Sequence, residues 1–237
     1  MAHQNMISII RENECISHTE MYISTELFSG EGWLKKPVST VMNLLPLFEN
    51  QKYIDVLDLG CGIGRNCIPI AHQFKNQECH IDCVDILDVA IDKLMGYADK
   101  YGVTESINGI LMPIDDFAIP KNRYNLIISV SSLEHMDSAV SFVNKLSEIA
   151  YGAKEKGIVC LIINSEVSEE DLSTGDILTP QFEVNLLTKE LQRYLLKTFK
   201  DWNVLKSSVV KQEYNIPRGA IQSHIKTNVV TFVARKV

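Results

Sequence analysis

The chain is predicted to fold as an α/β protein, a doubly wound sheet that is mostly parallel, with an antiparallel C-terminal hairpin and an N-terminal helical cap. Three observations predict it. From Tyr53 onward, β-type apolar runs alternate with stretches of helical periodicity. The run Tyr124 to Val130 is almost continuously apolar, as a central parallel strand covered on both faces must be. The alternation then ends in a helical segment followed by two consecutive β-type segments, the order of an antiparallel pair.

The elements follow in order. Residues 1–30 mix polar and apolar positions without a glycine before Gly30, which predicts one or two short helices, and Ser29-Gly30-Glu31-Gly32 predicts a turn. Pro37 to Phe48 carries Val38, Val41, Met42, Leu44, Leu45 and Leu47 at helical spacing, with proline suited to the first turn. Strand one is 53–59 and its helix about 65–75, with Pro69 in the opening turns. Strand two is 79–85. The next helix, about 88–101, has Asp88 as its N-cap and Gly102 just past its end. Strand three spans about 108–113 and strand four 124–130. Asp137 is placed to cap a helix with Val140, Val143, Leu146 and Ile149 on one face, and strand five is 157–163. Residues 165–187 are acidic and irregular and predict a long loop. A helix from Thr188 through Phe199 precedes β-type segments at about 203–212 and 225–235, separated by a Pro217-Arg218-Gly219 turn. The whole is read as one domain: cap and lead-in helix over 1–50, a cofactor-binding core over 51–165, and lid loop, helix and hairpin over 166–237.

The most informative stretch is Val56-Leu57-Asp58-Leu59-Gly60-Cys61-Gly62-Ile63-Gly64-Arg65-Asn66. A strand, a glycine loop and a helix in that order let a ligand lie against bare backbone, facing the free N–H groups of the helix start. A dinucleotide fingerprint reads G-x-G-x-x-G, and here Arg65 stands where its third glycine belongs. Asp85, at the tip of strand two, is the carboxylate a ribose diol needs, since an ionised acid accepts from both hydroxyls.

Asp58, the G-x-G-x-G spacing and Asp85 together resemble the class I S-adenosylmethionine-dependent methyltransferases. The resemblance implies their Rossmann-like seven-stranded sheet, S-adenosylmethionine as cofactor, and methyl transfer to a small-molecule acceptor. It implies cofactor contacts at Asp58, Gly60, Cys61, Gly62, Gly64, Asn66, Asp85 and Ile86, the last packing on adenine. After strand three Pro113 stands where many relatives carry an acid, so Ile114 with Asp115 or Asp116 takes that place. Ser131, at the tip of strand four, joins the same set. Cys61-Gly62-x-Gly64-Arg65-Asn66, with Asp201-Trp202 and the ending Val233-Ala234-Arg235-Lys236, is similar to tellurite-resistance-type methyltransferases, which are associated with oxyanion acceptors.

Methyl transfer needs an aligned nucleophile, a dry site and at times a base. His135, after strand four, is the candidate base because its ordinary pKa is near neutrality. Glu134 beside it, Tyr22 and Trp33 in the cap, and Arg218 and His224 near the hairpin are candidate substrate contacts; Lys226 is a further candidate for an anionic substrate. Glu134-His135 resembles part of a metal-associated motif of ubiquinone-biosynthesis O-methyltransferases, but Ser131 replaces its first acid, so no metal is expected. The two other readings are a cofactor-binding protein without catalysis and a nicotinamide-dependent oxidoreductase.

A net charge of −7 argues against non-specific binding to nucleic acid or anionic membranes, which requires a basic surface. No run approaches the roughly 18 apolar residues of a transmembrane helix, and Met1 to Glu12 lacks the pattern of a signal peptide. Six cysteines without a disulfide-type framework predict reduced thiols and a cytoplasmic location, with the protein a monomer or homodimer.

Overall fold

The structure is a computed structural model that describes residues 2–30, 32–219 and 221–237, with side chains from residue 7 onward. Strands β1 (Tyr53–Leu59), β2 (Glu78–Asp85), β3 (Ile107–Leu111), β4 (Tyr124–Val130), β5 (Ala153–Asp171), β7 (Asn203–Arg218) and β8 (Ile221–Arg235) form one sheet in the order β3-β2-β1-β4-β5-β8-β7. The pairs among β1 to β5 are parallel, while β8 runs antiparallel to both β5 and β7. A short strand β6 (Ile177–Leu178) pairs with the far end of β5.

Alternating side chains of each strand feed two separate cores. Val56, Leu126 and Cys160 point to one face, against helices α2 (Ser39–Met42), α3 (Cys67–Gln73) and α4 (Asp88–Lys100). Their sequence neighbours Leu57, Ile127 and Val159 point to the other, against α5 (Ala139–Gly152) and α6 (Thr188–Thr198). Burial on both faces is why strands one and four read as nearly unbroken apolar runs.

Several elements depart from the sequence reading. The first thirty residues hold one long helix, α1 (Ala2–Ser24), instead of one or two short ones. The predicted turn follows with Gly30 and Gly32 at φ of 64° and 95°; Glu31 within it, like Met1, lies outside the described residues. The helix expected over 37–48 breaks into α2 and a 3₁₀ turn, Leu45–Phe48, because Pro46 has no N–H to continue an α-helical ladder and disfavours the α conformation before it. Helix α3 is shorter than expected, and β3 ends at Leu111, before Pro113.

Two predicted caps move by one residue. Leu87 is the N-cap of α4 without a side-chain bond, and Asp88 is the first helical residue. Ser138, not Asp137, caps α5, through a reciprocal box with Ser141. Asp137 instead receives Arg11. Ser138→Ala is accordingly expected to cost about 1 kcal/mol in a urea unfolding titration.

The largest departure is at the C-terminal side. Strand β5 continues through Asp171 where a loop was expected, because β8 pairs with it along that length, from Ile158↔Arg235 to Asp171↔Ser223. Strands β7 and β8 are likewise longer than predicted, and Pro217 and Arg218 end β7 instead of forming the turn, which falls at Gly219; Ala220 is outside the described residues. The extended ends of β5, β8 and β7 make an arm that projects past the sheet. Arg218 on this arm bonds Glu14 of α1, so the arm and α1 meet.

Candidate functional site

The carboxyl ends of β1, β2 and β4 converge under α1. A cavity of about 130 Å³ there is lined by Gly60, Asp85, Ile86, Leu87, Pro113, Ile114, Asp115, Ser131, Ser132, His135 and Glu183, and roofed by Arg11, Glu14, Cys15, His18 and Tyr22. Ligand cavities generally span about 300–1,000 Å³, so with α1 in this position the cavity is smaller than a nucleotide-sized ligand.

The glycine loop is built by close approach. A Cβ on Gly60 (φ 73°) would stand 2.3 Å from Ser132 Cβ, so only glycine lets the loop after β1 lie against the loop after β4. Ser132 Oγ fixes that contact by donating to Leu59 O at 2.6 Å. A Cβ on Gly62 would meet the Tyr22 hydroxyl at 2.7 Å, so this glycine admits the α1 lid; Gly64 packs on Ile68 and Leu94.

Asp85 ties the loop to the tip of β2. One oxygen accepts from Gly62 N–H at 2.8 Å and the other from Leu87 N–H at 3.0 Å. Burial raises its pKa, and those donors offset part of the rise. Asp58 lies beneath the loop, 1% exposed, with Oδ2 lacking any partner. Burial first, then the charge of Asp85, pushes its carboxyl up to about 8. In ligand-free protein the folded state therefore holds a proton that the unfolded chain releases near pH 4. Stability from this group is complete below that pH and is lost as pH rises toward 8, by at most about 1.4 kcal/mol per pH unit. Asp58→Asn should flatten that decline in urea midpoints measured from pH 4 to 8.

Of the other expected contacts, Ile86, Ile114 and Ser131 line the cavity, and Ser131 sits at φ 52°, an uncommon conformation for its residue type. Asp115 faces the cavity and accepts from Asp137 N–H, whereas Asp116 is exposed, which distinguishes the two acids. Two residues are turned elsewhere. Cys61 is buried below the loop, and the Asn66 amide oxygen accepts from Val38 N–H, holding the lead-in segment.

His135 reaches Glu183 Oε2 through Nδ1 at 2.8 Å and stacks on Phe182. Burial alone would lower its pKa, but the bond to Glu183 and the fields of Glu134 and Glu183 leave it raised. Glu134 is wholly buried; its Oε1 receives the Asn164 backbone N–H and side-chain amide, and its carboxyl is raised by burial. Tyr22 is in the lid, edge-on to Trp33, but Trp33 itself is 43% exposed beside Arg65 and does not line the cavity. Arg218 is held by Glu14 and Glu169. His224 pairs with Asn215 and Glu213 on the opposite face of the arm, away from α1 and from Arg218. Lys226 pairs with Glu170 on that same outer face.

Arg11, Glu14, Cys15, His18 and Glu183 were missed. Arg11 donates to His135 O at 2.9 Å, Asp137 Oδ1 at 2.6 Å and Glu183 Oε1 at 3.3 Å, clamping α1 over the site. Arg11, Cys15, His18 and Tyr22 recur at the spacing of one helical face, a signal available in the sequence. Among the described residues no group of three or more His, Cys, Asp or Glu is arranged to hold a metal, and no helix is long and apolar enough to cross a membrane.

Known proteins share this fold. Residues 56–157 match the family described as a methyltransferase domain. The chain is 24% identical over 131 residues to ajmaline N-methyltransferase from Rauvolfia serpentina, covering 54% of this chain and 42% of that protein. It is 28% identical over 86 residues to malonyl-[acyl-carrier protein] O-methyltransferase 2 from Ilyobacter polytropus, covering 36% of this chain and 31% of the relative. The chain thus spans less than half the length of either relative. In fold it is similar to TehB from Haemophilus influenzae (TM-score 0.62, 20% identity, 84% of this chain and 62% of that one). It is also similar to a SAM-dependent methyltransferase from Methanosarcina mazei (TM-score 0.60, 13% identity, 85% and 99%). With this sheet order, this glycine loop and a match to a methyltransferase domain over residues 56–157, the chain is similar to the class I S-adenosylmethionine-dependent methyltransferases.

Proposed function

We propose that the protein transfers a methyl group from S-adenosylmethionine to a small-molecule acceptor and releases S-adenosylhomocysteine. The observation that carries this reading is the orphaned, buried Asp58 Oδ2 beneath a glycine loop anchored to Asp85. A buried carboxyl oxygen without a hydrogen-bond partner costs about 1–3 kcal/mol, so a site with such an atom fits a ligand that brings one. The residues present fit this cofactor: Asp58 and the loop amides would take its ammonium-bearing end, and Asp85 the ribose hydroxyls. Ile86, Leu87 and Ile114 would wall the adenine, with Asp115 at its edge.

S-adenosylmethionine supplies an activated methyl group whose sulfonium is its own leaving group, so positioning and water exclusion are the protein's main contributions. Tyr22, Cys15 and His18 of α1 close over the glycine loop and keep solvent out, while Arg11 holds the helix down. His135, oriented by Glu183, is positioned to take or hold a proton at Nε2. Net negative charge supports small molecules over nucleic acid as substrates, and the six free cysteines, five of them buried, support a reducing, cytoplasmic setting.

Isothermal titration of S-adenosylmethionine, S-adenosylhomocysteine and NADH tests the reading. Micromolar binding of the two sulfur ligands and none of NADH is expected. Tight NADH binding with silence from both sulfur ligands would overturn it.

A further inference from the structure

One buried carboxylate is shared by two nitrogen donors from different elements. Glu183, its side chain 1% exposed, receives Arg11 Nε on Oε1 at 3.3 Å and His135 Nδ1 on Oε2 at 2.8 Å. All three residues line the cavity of the candidate site. Glu183 is braced to the site and not to α1: its neighbour Val184 donates its N–H to Glu134 O at 2.9 Å, and Phe182 stacks on the His135 ring. Arg11 comes with α1. The far end of that helix is pinned to α4, where Lys93 Nζ bonds the carbonyls of Tyr22, Ile23 and Thr25, and the Tyr97 hydroxyl receives Leu27 N–H. The half that carries Arg11 is held over the site by polar contacts, Arg11 to Asp137 and to His135 O, and Glu14 to Arg218.

We propose that Arg11 is a positioning residue for His135: as α1 closes, its guanidinium takes a share of Glu183 and leaves His135 neutral, with Nε2 free to accept a proton from the methyl acceptor. The inference rests on the methyl-transfer reading above and adds a control on that same site. In the step itself the acceptor X–H bond breaks and its proton goes to Nε2. The freed electron pair forms the X–CH3 bond, and the C–S pair stays with the departing S-adenosylhomocysteine. Electrostatics give the direction of the control. Burial alone would lower the His135 pKa, and Glu183, Glu134 and Glu14 raise it. Arg11 opposes that rise, because a second positive charge on the same carboxylate disfavours the imidazolium. The other groups of α1 do not reverse the sign. Glu14 is paired with Arg218, and Cys15 and His18 are uncharged near neutrality, since burial raises the thiol and lowers the imidazole. Asp115 and Asp137 both face the guanidinium, at 4.0 Å and 2.6 Å. Lifting α1 would also admit water, which again favours the charged ring. Closure and loss of the His135 proton are therefore linked, each favouring the other.

The test is an NMR pH titration of the imidazole resonances of ligand-free protein, with His135 identified by the signal missing from His135→Gln. Wild type should titrate above the ordinary value of about 6.5. Glu183→Gln should lower the His135 value by about one pH unit, Arg11→Gln should raise it by about half a unit or more, and Arg11→Lys should stay near wild type. In a Glu183→Gln background, Arg11→Gln should lose most of its effect, because the shared carboxylate is gone. A helix that merely loosens would raise the value equally in both backgrounds, and that result would overturn the proposal. An unchanged or lowered value in Arg11→Gln would also overturn it. If Arg11→Gln does not fold, Glu183→Gln alone remains decisive, since an unmoved His135 there removes the link. S-adenosylhomocysteine is titrated calorimetrically on wild type alongside. Its binding beside an unmoved His135 sinks the Arg11 link alone, and its silence beside the expected shifts sinks the methyl-transfer reading alone.

Discussion

Gly60→Ala is expected to destabilise the protein by about 2–5 kcal/mol, the sum of overpacking and a left-handed conformation forced on alanine. Domains are stable by about 5–15 kcal/mol in total, so this change approaches unfolding. The reason is local and rigid: the new methyl would meet Ser132 Cβ at 2.3 Å, and Ser132 is itself fixed by Leu59 O and by Ser129 Oγ at 2.7 Å. Moving Ser132 would disturb Ser131, Leu133 and Glu134, so S-adenosylhomocysteine binding should be lost even where the chain folds. Gly96→Ala is the internal control. Gly96 lies in α4 with ordinary backbone, and a methyl there would meet nothing within 4 Å, so that change should stabilise by about 0.5–1 kcal/mol. Urea titrations of the two variants should therefore move in opposite directions. Equal shifts would mean that the loop tolerates the displacement.

Asp85→Ala is expected to weaken S-adenosylhomocysteine binding at least 100-fold, about 2.7 kcal/mol. Two losses combine. In the proposed site the ribose would lose its acceptor, and Gly62 N–H and Leu87 N–H would both lose theirs. The second loss also reaches the fold, at about 1–3 kcal/mol for a buried donor left unpaired. Asp85→Asn, which keeps one acceptor oxygen, should fall between wild type and alanine in both assays. Removing the Asp85 charge should also lower the Asp58 pKa, because that charge is the second cause of its elevation. Stability should then stop declining at a lower pH in Asp85→Asn than in wild type. Unchanged ligand affinity in the alanine variant would remove the ribose assignment, and an unchanged pH profile would uncouple the two acids.

How much of this was legible in the sequence depends on what covers each segment. Strands β1 and β4 matched residue for residue, because burial on both faces writes a continuous apolar run. The glycine loop was legible because few backbones need three glycines in five residues between a strand and a helix. Residues 165–171 were not. Ser165, Val167, Glu169 and Asp171 are buried, while Glu166 and Ser168 face outward. That is strand alternation, but written mostly in polar residues, and it is a strand only because β8 comes to pair with it. The lid failed for a related reason: the inward row of α1 is polar (Arg11, Cys15, His18) before it reaches Tyr22, so an apolar stripe is the wrong signal for it. Trp33 and His224 were chosen by residue type, and neither faces the site.

The position of β8 bears on how such a chain is made. The last strand in sequence lies inside the sheet, between β5 and β7, and Val230 is the neighbour of Ile163. During synthesis β5 therefore waits roughly seventy residues for its partner, several seconds at about 5–20 residues per second. Throughout that interval a growing chain presents the apolar edge Ile158 to Ile163 unpaired, the kind of template that invites association with other nascent chains. The exposed outer strand β7 is better defended, with Lys206, Lys211 and Pro217 spaced along it. The hazard of aggregation thus falls on the ribosome-bound chain more than on the finished protein, and slower translation across residues 172–220 would lengthen it.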